Sequence, residues 1–384
     1  MRIAHVSSSL LSPLGGAEQY CLALAGAQVR RGHDVTVVTG WVDDGARALV
    51  AATGARLVVV PGRRPYSPDR QGTGRLARVR FHAAELRDSL RPTAITRFLE
   101  DGGFDAVHVH RFSGFGAAPF RLAGPRVVHT AHDFTLVHTS ASLTRGDAPI
   151  DHVGRVQGLR SRVVAAAIPR DATLIFPSER TRDRHAERGF RLDAHRSTVL
   201  PHGWSAPRDA PPRSESDVLR VLFLGKLAEH KGIPLLLEAW GAGVPGATLT
   251  VGGDGPLRDA VSAADAVVAA GWLDEAGRAR ALAETDLLVM PSRWAENFPI
   301  VVAEALLAGV PVLTTTTASP PLVVDGDSGL VVPPTAAALR GAIERLVDDR
   351  ALRAALRAGA TRRAEELDMD RHVDRVLEHY GASA

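Results

Sequence analysis

The sequence predicts an α/β chain of two doubly wound domains, and three features carry that expectation. Short runs rich in Val and Ile, without polar alternation, recur through both halves, as parallel strands buried on both faces require. Helix-length segments separate these runs, so the pattern is β-α-β throughout. Residues 202–217 interrupt it with a stretch rich in Pro, Ser and charge that has the composition of a linker. A length of 384 residues suits two domains of ~100–200 residues each.

In chain order, the first half reads as strands at 2–6, 34–39, 56–60, 105–109, 126–130 and 173–176, with a helix over 17–31 that stops at Gly32. The second half repeats the scheme with strands at 220–224, 248–251, 266–269, 286–290, 310–314 and 329–332. Helices are expected there at 233–240, 275–284, 299–308 and 336–347. The domains are therefore placed at 1–201 and 218–366, with a linker at 202–217 and a final amphipathic helix within 367–384. In open α/β sheets ligands bind at the carboxyl ends of the strands, so the site is expected in a cleft between the two domains.

Composition narrows the function classes. One cysteine, Cys21, excludes an internal disulfide and a cysteine-based zinc cage. No apolar run reaches the ~18–20 residues of a membrane span. The chain opens directly on the strand-like MRIAHVSSS, for which a cytoplasmic location is expected. Aromatics make up only 5% and are not interleaved with the basic residues, which disfavours nucleic acid. His108 and His110 alternate along one strand and read as structural, and no other grouping has metal-site spacing.

The formal charge of +3 hides an asymmetry: residues 1–200 hold 28 Arg against 18 Asp and Glu, and the remainder 18 basic residues against 25 acidic ones. Arg63, Arg64, Arg70, Arg75, Arg78, Arg80, Arg87, Arg91 and Arg97 form the densest basic segment. It fits either a solvated, Arg-biased surface or a face that meets an anionic acceptor or phospholipid.

Lysine is the informative residue. Of 46 basic residues only Lys226 and Lys231 are lysine, and both lie in one stretch between a strand and a helix. A compact ammonium suits a phosphate oxygen as a point charge, and a helix start adds free N–H groups and a positive dipole end. The stretch reads as a diphosphate clamp, although no GxxxxGK[ST] phosphate loop is present. A second constellation, from Ser292 to Glu304, also follows a strand and enters a helix at Pro299. It places Glu296 in a loop at the strand's carboxyl end and Glu304 over one turn inside the helix. Such carboxylates suit sugar hydroxyls, and the backbone amides between Asn297 and Ile300 suit phosphate.

These residues resemble the retaining glycosyltransferases of the GT-B fold, the family-4 group. The resemblance joins the Lys226–Lys231 stretch and Glu296-Asn297-Phe298-Pro299 with Glu304 to Gly15-Gly16-Ala17-Glu18, Ala131-His132-Asp133, Gly252-Gly253-Asp254-Gly255-Pro256, Gly271-Trp272-Leu273 and Asp325-Gly326. It implies two Rossmann-like domains facing an interdomain cleft, the first binding acceptor and the second a nucleotide-sugar donor, with the last helix crossing back to the first. Lys226 and Lys231 would neutralise the donor diphosphate, Glu296 would hold the transferred sugar and Glu304 the ribose. His132 would reach the sugar from the first domain. Gly15 and Gly16 would admit the diphosphate to the backbone, while Gly253, Trp272, Leu273, Asn297, Phe298, Pro299 and Ile300 would complete the donor pocket.

Departures from the family pattern are Lys226 where arginine is usual, His202-Gly203 where Asn-Gly is common, and Pro320-Pro321 where Pro-Glu is common. The implied reaction is retaining and metal-independent, with no cofactor, the departing phosphate taking the acceptor proton. The acceptor is not identified; arginine richness fits an anionic or lipid-linked one and peripheral membrane contact, with 62–97 and 135–170 as candidate acceptor loops. Competing readings are a nucleotide-sugar epimerase on the same fold and a non-catalytic nucleotide-sugar-binding protein.

Overall fold

A computed structural model describes residues 1–62, 64, 66–67, 74–145, 148–150, 152–205, 216–318 and 320–381. Arg63, Arg70 and most of the linker, 206–215, lie outside the described residues. The chain divides into two compact units, Met1–His202 with Met369–Ala384, and Gly203–Asp368.

The first unit is built on strands β1 (Arg2–Ser7), β2 (Asp34–Thr39), β3 (Arg56–Val59), β4 (Ala106–Arg111), β5 (Arg126–Thr130), β6 (Thr173–Phe176) and β7 (Arg196–Val199). They form one parallel sheet in the order β7-β6-β5-β4-β1-β2-β3. Helices α1 (Gly16–Arg30), α2 (Asp44–Thr53), α3 (Arg75–Ser89), α4 (Ala94–Asp101), α5 (Arg155–Ala167) and α6 (Glu179–Glu187) connect them. Strand β7 was not expected: its Arg-Ser-Thr-Val sequence is polar because it is an edge strand, half exposed. The segments proposed as acceptor loops are corrected in part, since α3, α4 and α5 occupy much of them. In α3 and α5 the apolar periodicity is hidden by exposed Leu and Val residues on outward faces.

The second unit carries β8 (Leu219–Leu224), β9 (Ala247–Gly252), β10 (Val267–Gly271), β11 (Leu287–Met290), β12 (Val312–Thr315) and β13 (Gly329–Val332). These are parallel in the order β10-β9-β8-β11-β12-β13. The helices are α7 (Ile233–Trp240), α8 (Arg258–Ser262), α9 (Glu275–Ala283), α10 (Ile300–Leu307), α11 (Ala336–Asp348) and α12 (Arg350–Ala364). Strand β8 shows why the run lacks polar alternation. Val221 and Phe223 enter one core with Trp240 and Ile343, whereas Leu222 and Leu224 enter another with Leu288 and Val302.

Both sheets reverse direction of winding between their first and fourth strands, at β1/β4 and at β8/β11. That crevice is where doubly wound folds hold ligands. The last helix, α13 (Met369–His379), belongs to the first unit. There His372 Nε2 lies 2.7 Å from the Tyr20 hydroxyl, and Asp374 pairs with Arg31.

Candidate active site

In the second unit the loops after β8 and β11 meet at the winding reversal. The first leaves β8 through Gly225, passes exposed Lys226, and ends in a short turn, Glu229–Lys231, ahead of α7. Gly232 follows with φ +79°, and a Cβ there would stand 2.0 Å from the Pro291 carbonyl oxygen, so the two loops are in backbone contact. A hydrogen bond from Arg293 N to His230 O, 2.9 Å, fixes their register. The loop after β9 closes the third side. Gly253 has φ +142°, and a Cβ on it would lie 1.8 Å from Gly225 O.

Within this frame Lys231 Nζ donates to Glu296 Oε1 at 2.8 Å. Ser292 Oγ and Trp294 Nε1 donate to the same oxygen at 2.6 and 2.7 Å, and Lys231 Nζ sits 4.9 Å from the centre of the Trp294 ring. Glu296 Oε2 receives no hydrogen bond from the described residues. Burial alone would raise the Glu296 carboxyl, but the Lys231 charge and the three hydrogen bonds outweigh it and hold the group below the ordinary carboxylate value. Glu296 is thus an ionised carboxylate with one oxygen saturated and the other open to a hydroxyl donor. Lys226 makes no ion pair with a described residue.

Glu304 lies on α10, whose N-cap is Pro299. The first-turn amides of Ile300 and Val301 precede the intrahelical ladder and are available to an anion. Both Glu304 oxygens are engaged by Arg278 of α9, Nη2 to Oε1 at 3.0 Å and Nε to Oε2 at 3.2 Å. This bidentate pair was not foreseen, because the two residues are far apart in sequence and share no motif. Trp272, just past β10, is 58% exposed, and Leu273 beside it packs on Gly252 and the core below.

The remaining candidates lie in the first unit. Gly15 and Gly16 are exposed at the start of α1, Gly15 being its N-cap. A Cβ on Gly15 would approach Glu18 Oε2 to 2.7 Å. Glu18 is buried and paired with Arg111 at the end of β4, so an ion pair also spans the winding reversal of this sheet. His132 follows β5, and both of its ring nitrogens meet other imidazoles: Nε2 is 3.1 Å from His110 Nδ1, and Nδ1 is 3.2 Å from His202 Nε2. Burial is the main cause that pushes its pKa down to about 3. His5, His108 and His110 form the one buried trio with nitrogens close enough to hold a metal among the described residues. Sequence reading noted the pair on β4 but not that β1 brings His5 beside it.

Solved structures share this architecture. Anabaena HepE in complex with UDP and glucose superposes with a TM-score of 0.73 at 18% identity, covering 100% of both chains. Sucrose-phosphate synthase from Thermosynechococcus elongatus gives 0.72 at 20% identity, covering 99% of this chain and 98% of that one. The fold is therefore that of the GT-B enzymes, with two Rossmann-like domains. Phosphatidyl-myo-inositol mannosyltransferase of Mycobacterium tuberculosis is 28% identical over 349 residues, covering 87% of this chain and 82% of the relative. The same-named protein of Mycobacterium leprae is 28% identical across 100% of this chain and 98% of its own. The protein is a glycosyltransferase. Residues 14–205, half of the chain, match the model of Glycosyltransferase Family 4, and residues 219–349 match Glycosyl transferases group 1; the chain belongs to Glycosyltransferase Family 4.

Proposed function

We propose that the enzyme moves a sugar from a nucleoside-diphosphate sugar to its acceptor with retention of configuration and without a metal ion. The observation that carries this reading is the Lys231–Glu296 pair at the β8/β11 winding reversal. In the reaction the bond from the anomeric carbon to the diphosphate breaks, and the acceptor oxygen attacks from the face the diphosphate leaves. The acceptor proton passes to the departing phosphate oxygen, so no enzymic nucleophile is needed. Lys231 and Lys226 stabilise the charge that develops on the leaving group, the place where a fixed cation is most effective. Glu296 Oε2 accepts a hydroxyl of the transferred sugar. Glu304 meets the ribose while its carboxylate is held by Arg278, Trp272 offers an exposed ring beside the donor pocket, and His132, whose two nitrogens are taken up by His110 and His202, is assigned to the transferred sugar through its ring edge and face.

The names of the mycobacterial relatives favour a mannosyl donor and a phosphatidylinositol-type acceptor. The surface of the first unit suits a lipid: Leu76, Val79, Leu86 and Leu90 are 63%, 58%, 37% and 59% exposed, at intervals of three, seven and four residues along α3 and its C-cap. Arg78, Arg80, Arg87 and Arg91 flank this stripe, and Val156 and Leu159 on α5 are also exposed. Exposed apolar side chains beside guanidinium groups suit contact with an anionic membrane surface. No helix of the described residues is long and apolar enough to cross a membrane.

The test is transfer in EDTA from a panel of nucleotide sugars to phosphatidylinositol vesicles, with the product's anomeric configuration read by NMR. Metal-free transfer with retention supports the proposal. Inversion or an absolute metal requirement contradicts it, conversion of donor without acceptor indicates an epimerase, and binding without transfer or hydrolysis indicates a non-catalytic protein.

A further inference from the structure

The first unit encloses a set of polar side chains that the proposed chemistry does not use. Strand pairing sets His5 of β1 opposite His108 of β4, and His110, two residues on, faces the same side. From His5 a continuous line of hydrogen bonds runs in both directions. His5 Nε2 is 2.7 Å from Gln28 Oε1 on α1, and His5 Nδ1 is 2.9 Å from His110 Nε2. The line continues through His132 to His202 by the two contacts already described. A second branch leaves Gln28 through Nε2, 3.5 Å from the Tyr380 hydroxyl, which lies 2.6 Å from His108 Nδ1; His108 Nε2 is 2.7 Å from Thr130 Oγ1.

A neutral imidazole donates from one nitrogen and accepts at the other, so such a line has a direction. An amide oxygen only accepts. His5 must therefore carry its proton on Nε2 and accept at Nδ1, which obliges His110 to donate from Nε2, His132 from Nε2 and His202 from Nε2. A single acceptor thus orders four rings. An imidazolium at His5, His110 or His132 would set its Nδ1–H against the Nε2–H of the next ring, so that the link breaks or every ring beyond it reverses its tautomer. Burial, the largest cause for each of the four rings, favours the neutral form.

We propose that Gln28, His5 and His110 are positioning residues that fix the tautomer and ring orientation of His132 and His202 from inside the sheet. For catalysis this rests on the assignment of His132 to the transferred sugar; the relay itself does not. The geometry favours a relay over a metal centre at His5, His108 and His110. Both nitrogens of each ring already have hydrogen-bond partners, and His108 and His110 stack with centroids 4.2 Å apart and planes 26° from parallel, so their lone pairs run side by side.

The experiment is imidazole 15N NMR of the full chain, with steady-state kinetics on the same samples. The wild type is expected to show a single Nε2–H tautomer at His5, His110, His132 and His202; the opposite tautomer or a mixture at His132 overturns the proposal without any variant. Gln28→Met removes the acceptor at similar volume, and mixed tautomers at His5 and His132 are expected, with kcat lower by about tenfold and donor KM changed by less than roughly twofold. Gln28→Glu restores the acceptor and should recover His132 and kcat. Its second oxygen accepts from Tyr380, which turns His108 alone to the Nδ1–H form. An unchanged His132 spectrum in Gln28→Met, or stoichiometric metal in the purified protein, refutes the relay. Tautomer mixing with unaltered kcat upholds the relay and removes His132 from the reaction.

Discussion

Among single residues, one oxygen atom organises the donor site. Glu296 Oε1 collects Lys231, Ser292 and Trp294, which fixes the carboxylate and leaves Oε2 to the substrate. Lys231 serves both the carboxylate and, in the proposed reaction, the leaving group. Lys231→Ala is therefore expected to lower kcat by about 100-fold, the scale of one lost oxyanion donor, while the protein stays folded by circular dichroism. A rate within twofold of wild type would remove the lysine from the mechanism. Lys231 and Glu296 were legible in the sequence because Lys226 and Lys231 are its only lysines and because Glu-Asn-Phe-Pro opens a helix after a strand. Arg278 was not legible: its partnership with Glu304 arises only when α9 packs beside α10. Arg278→Ala leaves a mostly buried carboxylate without its counter-charge and should cost about 3 kcal/mol in denaturant unfolding. No loss would mean the pair is solvated in solution.

Among the elements, the strands buried on both faces were read almost to the residue, because a continuous apolar run has few other uses. Of the four edge strands only β7 escaped the sequence, since its polar Arg-Ser-Thr-Val run needs no apolar faces to pair. The site loops depend on glycines whose role is steric. Gly253→Ala would drive a methyl group into Gly225 O at a φ that alanine rarely adopts. At least about 2 kcal/mol of stability should be lost, together with nucleoside-diphosphate binding, as the loops after β8 and β9 separate. Calorimetry with and without nucleotide checks both, and an unperturbed variant would contradict the close packing of those loops. On the outer face of α3, Leu76→Glu with Val79→Glu should abolish flotation with anionic vesicles and leave melting unchanged. Retained flotation would place the lipid contact elsewhere.

For the whole molecule, the buried histidines make a prediction about pH. His5, His129, His185 and His372 in the first unit are each pushed down to about 4, mainly by burial. The unfolded chain takes up these protons near pH 6.5, so between 6.5 and 4 the unfolded state binds more protons and stability rises with pH. The contribution is full above about 6.5 and is lost on acidification, by ~2 kcal/mol per group at pH 5. The lowered Glu296 carboxyl acts in the same sense at more acidic pH, in the second unit. Thermal unfolding should therefore fall steeply below pH 6.5, the first unit leading, and a flat profile down to pH 4.5 would refute the buried neutral cluster. The doubly wound arrangement, with a winding reversal in each sheet, was implied by the β-α-β pattern; the strand order was not, nor was the histidine line, because it joins β1, α1, β4 and the turn after β5 through tertiary pairing alone.

The most direct measurement is the thermal stability of the protein in EDTA against UDP, GDP, ADP and dTDP, compared with Lys231→Ala. A ligand at 100 times its dissociation constant adds about 2.7 kcal/mol. The expected result is that one nucleotide raises the wild-type transition without metal and leaves the Lys231→Ala transition where it was. A shift of equal size in both proteins, or none with any nucleotide at millimolar concentration, would contradict the lysine clamp on which the proposed transfer depends.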